Sequence, residues 1–292
     1  MERSKTIIVP VDFSASTSTT IQHAAHLARV SKTDVVLLHV IETLFEGFSL
    51  AGLTMKEDSA EQKLVEAVEN RLKTVSAEYN EQGYHFTYRI EFGSVHKTIV
   101  RIADELNATY IVMGAHGIEG FEEYLIGSNS FRVAATANCP VITLPNDDNY
   151  TKGYKVIVMP IDTSFYSRQK VKTTAQIAKA FNSKIYVFGV SIDTDPEAQN
   201  KLTALTQQVG EYLHAHAIIY ETSIETGGNI TDNTILFSKA VKADLISIMT
   251  EQEPSVRSLI MGEFAQQMIN KSPIPVLSIR PKEVSGQIDF SL

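Results

Sequence analysis

The chain has 292 residues, about twice a common single-domain length, and 43% of them are hydrophobic, so two globular cores are expected and low-complexity disorder is excluded. Its 26 lysines and arginines against 34 aspartates and glutamates give a net charge of −8, and the whole excess lies in residues 1–150, where 12 cations face 20 anions. No basic stripe is present to neutralise a nucleic-acid backbone, no apolar run reaches the roughly 18 residues of a membrane span, and a single cysteine permits neither an internal disulfide nor a multi-cysteine zinc site. The first residues lack the apolar core of a signal peptide, so a soluble, cytoplasmic protein is expected.

In chain order, Lys5–Val11 is a short apolar run rich in β-branched residues, with the character of a buried strand. Ser14 and Ser16 are candidate N-caps for a helix ending near Val30, with Ile21, Ala24, Ala25 and Ala28 on one face. Val35–Ile41 reads as a second strand. Ser59–Glu81 reads as a long helix carrying Leu64, Val65, Val68 and Leu72 at helical spacing, stopped before Gly83. Tyr84–Glu91 alternates in the manner of a strand near a sheet edge. Then come a helix over Val95–Leu106, a strand over Tyr110–Met113, a helix over Ser128–Thr136 and a strand over Val141–Leu144.

The same order returns from Lys155 to Arg280, because the chain is a repeat. Ile7-Ile8-Val9-Pro10-Val11-Asp12-Phe13-Ser14 recurs as Ile157-Val158-Met159-Pro160-Ile161-Asp162-Thr163-Ser164, so Pro10 and Asp12 lie 150 residues before Pro160 and Asp162. Farther along, Ala108–Met113 matches Ala243–Ile248 and Cys139-Pro140-Val141 matches Ile274-Pro275-Val276, now 135 residues apart. A single change of offset implies a block of about 15 residues, around 42–58, that only the first copy has. Pro145–Gly153 is polar and reads as a linker, which divides the chain into domains at 1–146 and 154–282. Glu197–Tyr212 is read as a helix on sparse apolar positions. Strictly alternating strands and helices predict two tandem doubly wound α/β domains, each a five-stranded parallel sheet with helices on both faces, packed about a pseudo-twofold axis.

Ligands of such sheets bind beyond the carboxyl ends of the strands. After the strand ending at Met113 comes Gly114-Ala115-His116-Gly117, then nine residues, then Gly127-Ser128-Asn129-Ser130 opening a helix. Gly114 and Gly117 let backbone approach a ligand, and Gly127 is expected to allow an unusual φ/ψ that aims amides inward. Ser128, Asn129 and Ser130 add donors at a helix N-terminus, where free amides and the dipole favour an anion.

Gly-x2-Gly-x9-Gly-Ser between a buried strand and a helix that runs on to Cys139-Pro140-Val141 resembles the universal stress protein family, as do Val9-Pro10-Val11-Asp12-Phe13-Ser14 and the strand Leu37-Leu38-His39-Val40. Both copies fit, so the chain is similar to a tandem member, which implies a Rossmann-like fold of the adenine nucleotide alpha hydrolase-like kind. In the ATP-binding branch of that family the resemblance gives Asp12, following Pro10 and Val11, to adenosine, and Val40 to adenine. It gives ribose and phosphates to the loop from Met113 onward: Gly114, His116, Gly117, Gly127, Ser128, Asn129 and Ser130. ATP, with Mg²⁺ bridging phosphates and loop hydroxyls, is the implied ligand. ADP and AMP stay open, because the loop reads phosphate rather than base.

The second copy departs from this pattern. Gly114 becomes Met249, Gly117 becomes Gln252, Ser128 becomes Glu263, and only Gly262 and Asp162 persist, so no ATP site is expected there. A bulky side chain and a carboxylate stand where backbone and phosphate would meet. Blander readings stand beside the sharper ones. Asp12 can simply cap the first helix, and the glycine loop can be an emptied site. The pairs His23/His26 and His214/His216 read as surface residues rather than metal ligands, and Cys139 as packing. The apolar insertion with Leu44, Phe45, Phe48, Leu50, Leu53 and Met55 is either a loop over its own domain or a lid or docking surface. No catalytic residue is named. Function is then either nucleotide-responsive regulation through an unknown protein partner, with the two domains forming an intramolecular pseudo-dimer and chains open to pairing, or a nucleotide-independent scaffold, or a slow ATPase. The tail from Lys282 can add to a sheet edge or stay unstructured.

Overall fold

The computed structural model describes residues 5–42, 58–115, 127–145, 153–164, 166–250 and 261–282. The first copy runs β1 (Thr6–Pro10), α1 (Thr17–Ser31), β2 (Asp34–Ile41), α2 (Asp58–Glu81), β3 (Phe86–Phe92), α3 (Val95–Glu105), β4 (Tyr110–Gly114), α4 (Ser128–Thr136) and β5 (Val141–Leu144). The second runs β6 (Val156–Ile161), a 3₁₀ turn over Tyr166–Arg168, α5 (Val171–Phe181), β7 (Lys184–Ser191), α6 (Pro196–Ala215), β8 (Ile219–Thr226), α7 (Ile230–Ala240), β9 (Leu245–Met249), α8 (Glu263–Lys271) and β10 (Val276–Ile279).

Each copy contributes five parallel strands, and the two halves join into one sheet in the order β3-β2-β1-β4-β5-β10-β9-β6-β7-β8. The central strands are apolar on both faces because helices cover both, and Ile7, Ile8 and Val9 of β1 are wholly buried. The expected edge character of the third strand is observed, since β3 and β8 end the sheet and are the least buried.

The halves meet through an antiparallel β5–β10 pair in which Ile142 faces Leu277, while Thr143 faces Val276 and Val141 faces Ser278. Ile142 and Leu277 are the same position of the repeat, since 142 + 135 = 277, and their neighbours exchange partners around them. A pseudo-twofold axis therefore passes through this pair. Helix α1 packs on its own counterpart α5 across the same axis, and apolar clusters on each face continue from one copy into the other.

The repeat arithmetic needs one correction. In register, Val35 pairs with Phe86 and Ile185 with Tyr220, so β3 and β8 differ by 220 − 86 = 134. From Ser94 and Asn229, the N-caps of α3 and α7, the offset is 229 − 94 = 135. Sixteen residues (150 − 134) are thus missing from the second copy, and one is gained. The gained residue is Gly228, which follows Gly227 with a second positive φ (69°) where the first copy has Gly93 alone. The apolar insertion lies outside the described residues, apart from Glu42 and the first residue of α2.

The sparse pattern at Glu197–Tyr212 has a physical cause. Asp195 caps α6 by accepting the Glu197 amide, Pro196 takes the first turn, and the buried stripe Leu202, Thr206, Val209, Gly210 and Leu213 includes small residues. A Cβ on Gly210 would lie 2.6 Å from the Tyr220 ring, so the missing side chain is what lets α6 close on β8.

Candidate functional site

In the first copy β2 and β3 lie to one side of β1, and β4 and β5 to the other, so strand order reverses between β1 and β4. A crevice forms at the carboxyl ends of that pair. Pro10 closes β1 and Val11 and Asp12 follow it; Met113 and Gly114 close β4; Val40 lies near the end of β2. Val11 and Met113 are buried, Pro10, Val40 and Gly114 half-buried, and Asp12 exposed.

Asp12 does fasten the start of α1. Its Oδ1 accepts the Ser14 amide at 3.0 Å, the Ser14 hydroxyl at 2.7 Å and the Thr17 hydroxyl at 2.9 Å. Ser16 occupies the N-cap position of α1 but its side chain makes no capping bond. Phe13 next door has φ 59°, a conformation that costs a non-glycine residue about 1–3 kcal/mol. Its ring is held from two sides, 5.0 Å from His39 and 4.1 Å from the Arg71 guanidinium. His39 Nδ1 in turn donates to the Val11 carbonyl at 2.6 Å, which ties β2 to the turn. His39, Phe13 and Arg71 thus set the Asp12 turn. Nothing local in the sequence marks Arg71 for this part, because α2 brings it in from a distance.

The loop that starts at Gly114 leaves and returns through backbone bonds. Ala115 N–H donates to Leu144 at 2.8 Å, and Gly127 N–H donates to Ala115 at 2.8 Å. The Ser130 hydroxyl, buried, donates to the Gly114 carbonyl at 2.7 Å, fixing the first turn of α4 against the end of β4. Gly127 has φ −58° and ψ 137°, which any residue adopts, so the expected unusual geometry is not observed. The N-cap of α4 is Gly127 itself, which has no side chain to cap with, and like every helix start the first turn of α4 presents amides without an intrahelical partner. Ser128 is exposed and Asn129 half-buried beside them. His116 and Gly117 lie outside the described residues. Close by, burial and then Arg132 of α4 and Lys97 hold His96 below its ordinary pKa, with Glu42 opposing.

The second crevice keeps the frame and changes the filling. Asp162 accepts the Ser164 amide at 2.7 Å, as Asp12 accepts that of Ser14. Thr250 N–H donates to Ile279 and Gly262 N–H to Thr250, repeating the loop clamp. Met249 is buried, and with Phe264, at the position of Asn129, it lines a small cleft that also includes Pro160, Asp162, Ser167 and Lys170. Ala265 stands where Ser130 would be. Glu263 is exposed in the first turn of α8, where its carboxylate accepts from Gln267 at 2.8 Å. Gln252 lies outside the described residues. Lys170, which the sequence reading passed over, is 3% exposed, and burial lowers its pKa to about 8 against the favourable charge of Asp162. Its signal was available in the repeat, since a lysine at a position occupied by Thr20 in the other copy is an odd replacement.

The histidine pairs divide. His23 is not a surface residue: it is buried and hydrogen-bonds the hydroxyl of Tyr154, from the start of the second copy. His26 stacks on Phe181 of α5 at 5.6 Å, and burial, Arg29 and Lys155 lower its pKa. His214 lies in the last turn of α6, and His216 follows it as C-cap with Nδ1 donating to Tyr212 at 2.8 Å. Cys139 is half-buried, and burial, then Asp104, pushes its thiol up to about 12, an inert value. Among the described residues no group of three His, Cys, Asp or Glu side chains is placed to hold a metal, and no helix is long and apolar enough to cross a membrane.

Comparison with known proteins gives two tandem matches to the universal stress protein family, over residues 3–145 and 153–280. Universal stress protein MJ0577 of Methanocaldococcus jannaschii is 30% identical over 152 residues, 48% of this chain and 94% of its own length. Universal stress protein Sll1654 of Synechocystis is 31% identical over 141 residues, 48% of this chain and 85% of its own. A universal stress protein from Archaeoglobus fulgidus has a solved structure with TM-score 0.73 at 21% identity, spanning 96% of this chain and 97% of that one, a likeness of fold.

Proposed function

The chain belongs to the universal stress protein family, and from that premise we propose that its first copy binds an adenine nucleotide, ATP foremost, at the β1–β4 crevice and acts as a nucleotide-responsive stress protein in the cytoplasm. One observation carries this reading: the first turn of α4, which starts from a glycine N-cap, is held by Ser130 against the Gly114 end of β4. A helix start beside the point where strand order reverses offers free amides, with Ser128 and Asn129 as further donors in its first turn, which supports an anion there. In this reading Pro10, Val11 and Asp12 meet the nucleoside side of the ligand and Val40 the base. Met113, Gly114, His116, Gly117, Gly127, Ser128, Asn129 and Ser130 surround ribose and phosphates. Mg²⁺, where it accompanies ATP, is held by the phosphates and the loop hydroxyls. The units that respond are residues 1–146 and 154–282, with only the first loaded.

ATP is here a ligand that shifts a population, which requires different affinity for two states of the loop. Turnover is at most slow, since the loop has no P-loop lysine. The nucleotide-independent scaffold reading is favoured by the second crevice alone, whose described lining, Met249, Phe264 and Lys170 among it, leaves room for about one water molecule.

The experiment is calorimetric titration of MgATP into nucleotide-free full-length protein. The expected stoichiometry is one per chain, abolished by Gly114→Met and unaffected by Gly262→Ala. Absence of binding to chain shown to be nucleotide-free would replace this reading with the scaffold.

A further inference from the structure

Among the described residues the two crevices differ at a position inside the fold, on the first helix of each copy. Thr20 and Lys170 are the same place in the repeat, since 20 + 150 = 170. The offset holds on both sides of them: Asp12 and Asp162 make the same turn before, and Lys32 and Asn182 are both left-handed C-caps after. Thr20 is buried and its hydroxyl donates to its own helix, to Ser16 at 2.9 Å, so the side chain stops short of the crevice. Lys170 does not stop short. It lines the second cleft together with Asp162, Ser167, Met249 and Phe264. Its Nζ donates to the Ser167 carbonyl at 2.5 Å, with the Ser167 hydroxyl at 3.5 Å. The space left among these side chains is about that of one water molecule.

We infer that Lys170 closes the second crevice to phosphate-bearing ligands, by acting as a cation tethered to Ser167 that fills the space beside Asp162. The inference rests on the nucleotide reading of the first crevice. Two physical terms support it. A buried ammonium needs acceptors and a compensating charge nearby; Ser167 accepts from Nζ and Asp162 lines the same cleft, so an incoming phosphate would have to displace the Ser167 bond and would meet the Asp162 carboxylate. Lys170 shares the cleft lining with the large apolar side chains Met249 and Phe264, and together they leave little room in it. The second copy is then permanently filled, and only the first answers to nucleotide. Met249 and Glu263, which the repeat alone brings forward as blocking residues, block beside Lys170, and removing those two alone leaves the crevice closed.

The test is MgATP calorimetry on four full-length chains: the unaltered protein, T20K, M249G/E263S, and K170T/M249G/E263S. One site is expected in the unaltered chain and in M249G/E263S, and a second site only when Lys170 is also replaced. T20K is expected to lose at least tenfold in affinity at the first site. Two sites in M249G/E263S with Lys170 in place, or unchanged affinity in T20K, overturns the inference. Absence of any site in the unaltered chain overturns the nucleotide reading instead. A second measurement needs neither nucleotide nor a stable triple variant: carbon-13 NMR titration of the lysine ε-methylenes, with K170M for assignment. Lys170 is expected to titrate well below the other lysines; titration with them near the ordinary value of about 10.4 means an ammonium in water and ends the tethered-cation account.

Discussion

At the end of β1 the chain turns through Asp12, and at the end of β6 through Asp162, each carboxylate accepting the amide two residues on. At the ends of β4 and β9 the backbone leaves and returns by the same pair of bonds, Ala115 to Leu144 and Gly127 to Ala115 in one copy, Thr250 to Ile279 and Gly262 to Thr250 in the other. The frames agree, and the side chains facing the crevices do not. Gly114, Thr20, Asn129 and Ser130 in the first copy answer to Met249, Lys170, Phe264 and Ala265 in the second. The backbone of a strand-end crevice therefore holds its shape without the residues that would use it. Turn chemistry and sheet pairing set the frame, and a handful of substitutions inside it decide whether anything enters.

The strongest way to break the comparison is at the axis that relates the halves. Ile142 and Leu277 are both fully buried and face each other across the β5–β10 pair. Ile142→Ala and Leu277→Ala are each expected to cost about 2–5 kcal/mol in urea unfolding. The double variant is expected to fall short of the sum, because the two side chains share one contact. Full additivity, or a near-neutral single, means the halves do not meet through this pair in solution.

Next in size is the charge inside the second crevice. Lys170 has a folded pKa of about 8 against an ordinary value near 10.4, so between those values the unfolded chain binds the extra proton. Stability should rise with pH across that window, by up to about 1.4 kcal/mol per pH unit from this group, and its burden should be fully felt below pH 8. Buried tyrosines pull the other way, since burial raises Tyr110 to about 12 and raises Tyr154 too. The readout is therefore the difference between the unaltered chain and K170M in melting temperature from pH 7 to 10.5. A difference independent of pH would contradict a buried ammonium.

Smaller again is the change that makes the first copy resemble the second at one atom. Ser130→Ala supplies the alanine found at 265 and removes the 2.7 Å bond to the Gly114 carbonyl. A loss of about 0.5–1.5 kcal/mol in stability is expected. Weaker MgATP binding should accompany it, because the first turn of α4 is no longer pinned to β4. Equal affinity in the variant would show that the pin does not position the site.

Much of this was legible from residues alone, and the failures are instructive. The bounds of α4 and β5 match the sequence reading, because a nine-residue amphipathic helix followed by four buried residues, three of them apolar, is a local pattern. The repeat made the halves visible before any packing was known. His23 was misread for a non-local reason: α1 is covered by the sheet on one side and by Tyr154 and α5 on another, so its buried arc is wider than the Ile21, Ala24, Ala25 and Ala28 stripe suggests. Gly228 was missed because a one-residue insertion beside another glycine leaves hydrophobic spacing intact on both sides. Lys170 was missed because its identity signals a surface, and only alignment to a buried threonine reveals otherwise.

The gentlest change tests whether the axis itself senses pH. His26 and Gln176 are equivalent, since 26 + 150 = 176, and His26 stacks on Phe181 across the α1–α5 contact. Burial lowers the His26 pKa, and the neighbouring cations Arg29 and Lys155 lower it further. A histidine whose folded pKa lies below its unfolded one binds fewer protons in the native state. Its contribution is thus complete above the ordinary value of about 6.5 and is lost as pH falls below that point. Solvent reaches part of the ring, so the effect should be a few tenths of a kcal/mol rather than the full shift. His26→Gln installs the residue of the other copy and removes the charge. The acid side of the stability profile should then flatten between pH 6.5 and 5, with the slope near pH 8 unchanged, in melts of the two chains side by side. An unchanged acid limb would assign the loss of stability there to other groups and leave the α1–α5 contact indifferent to protonation.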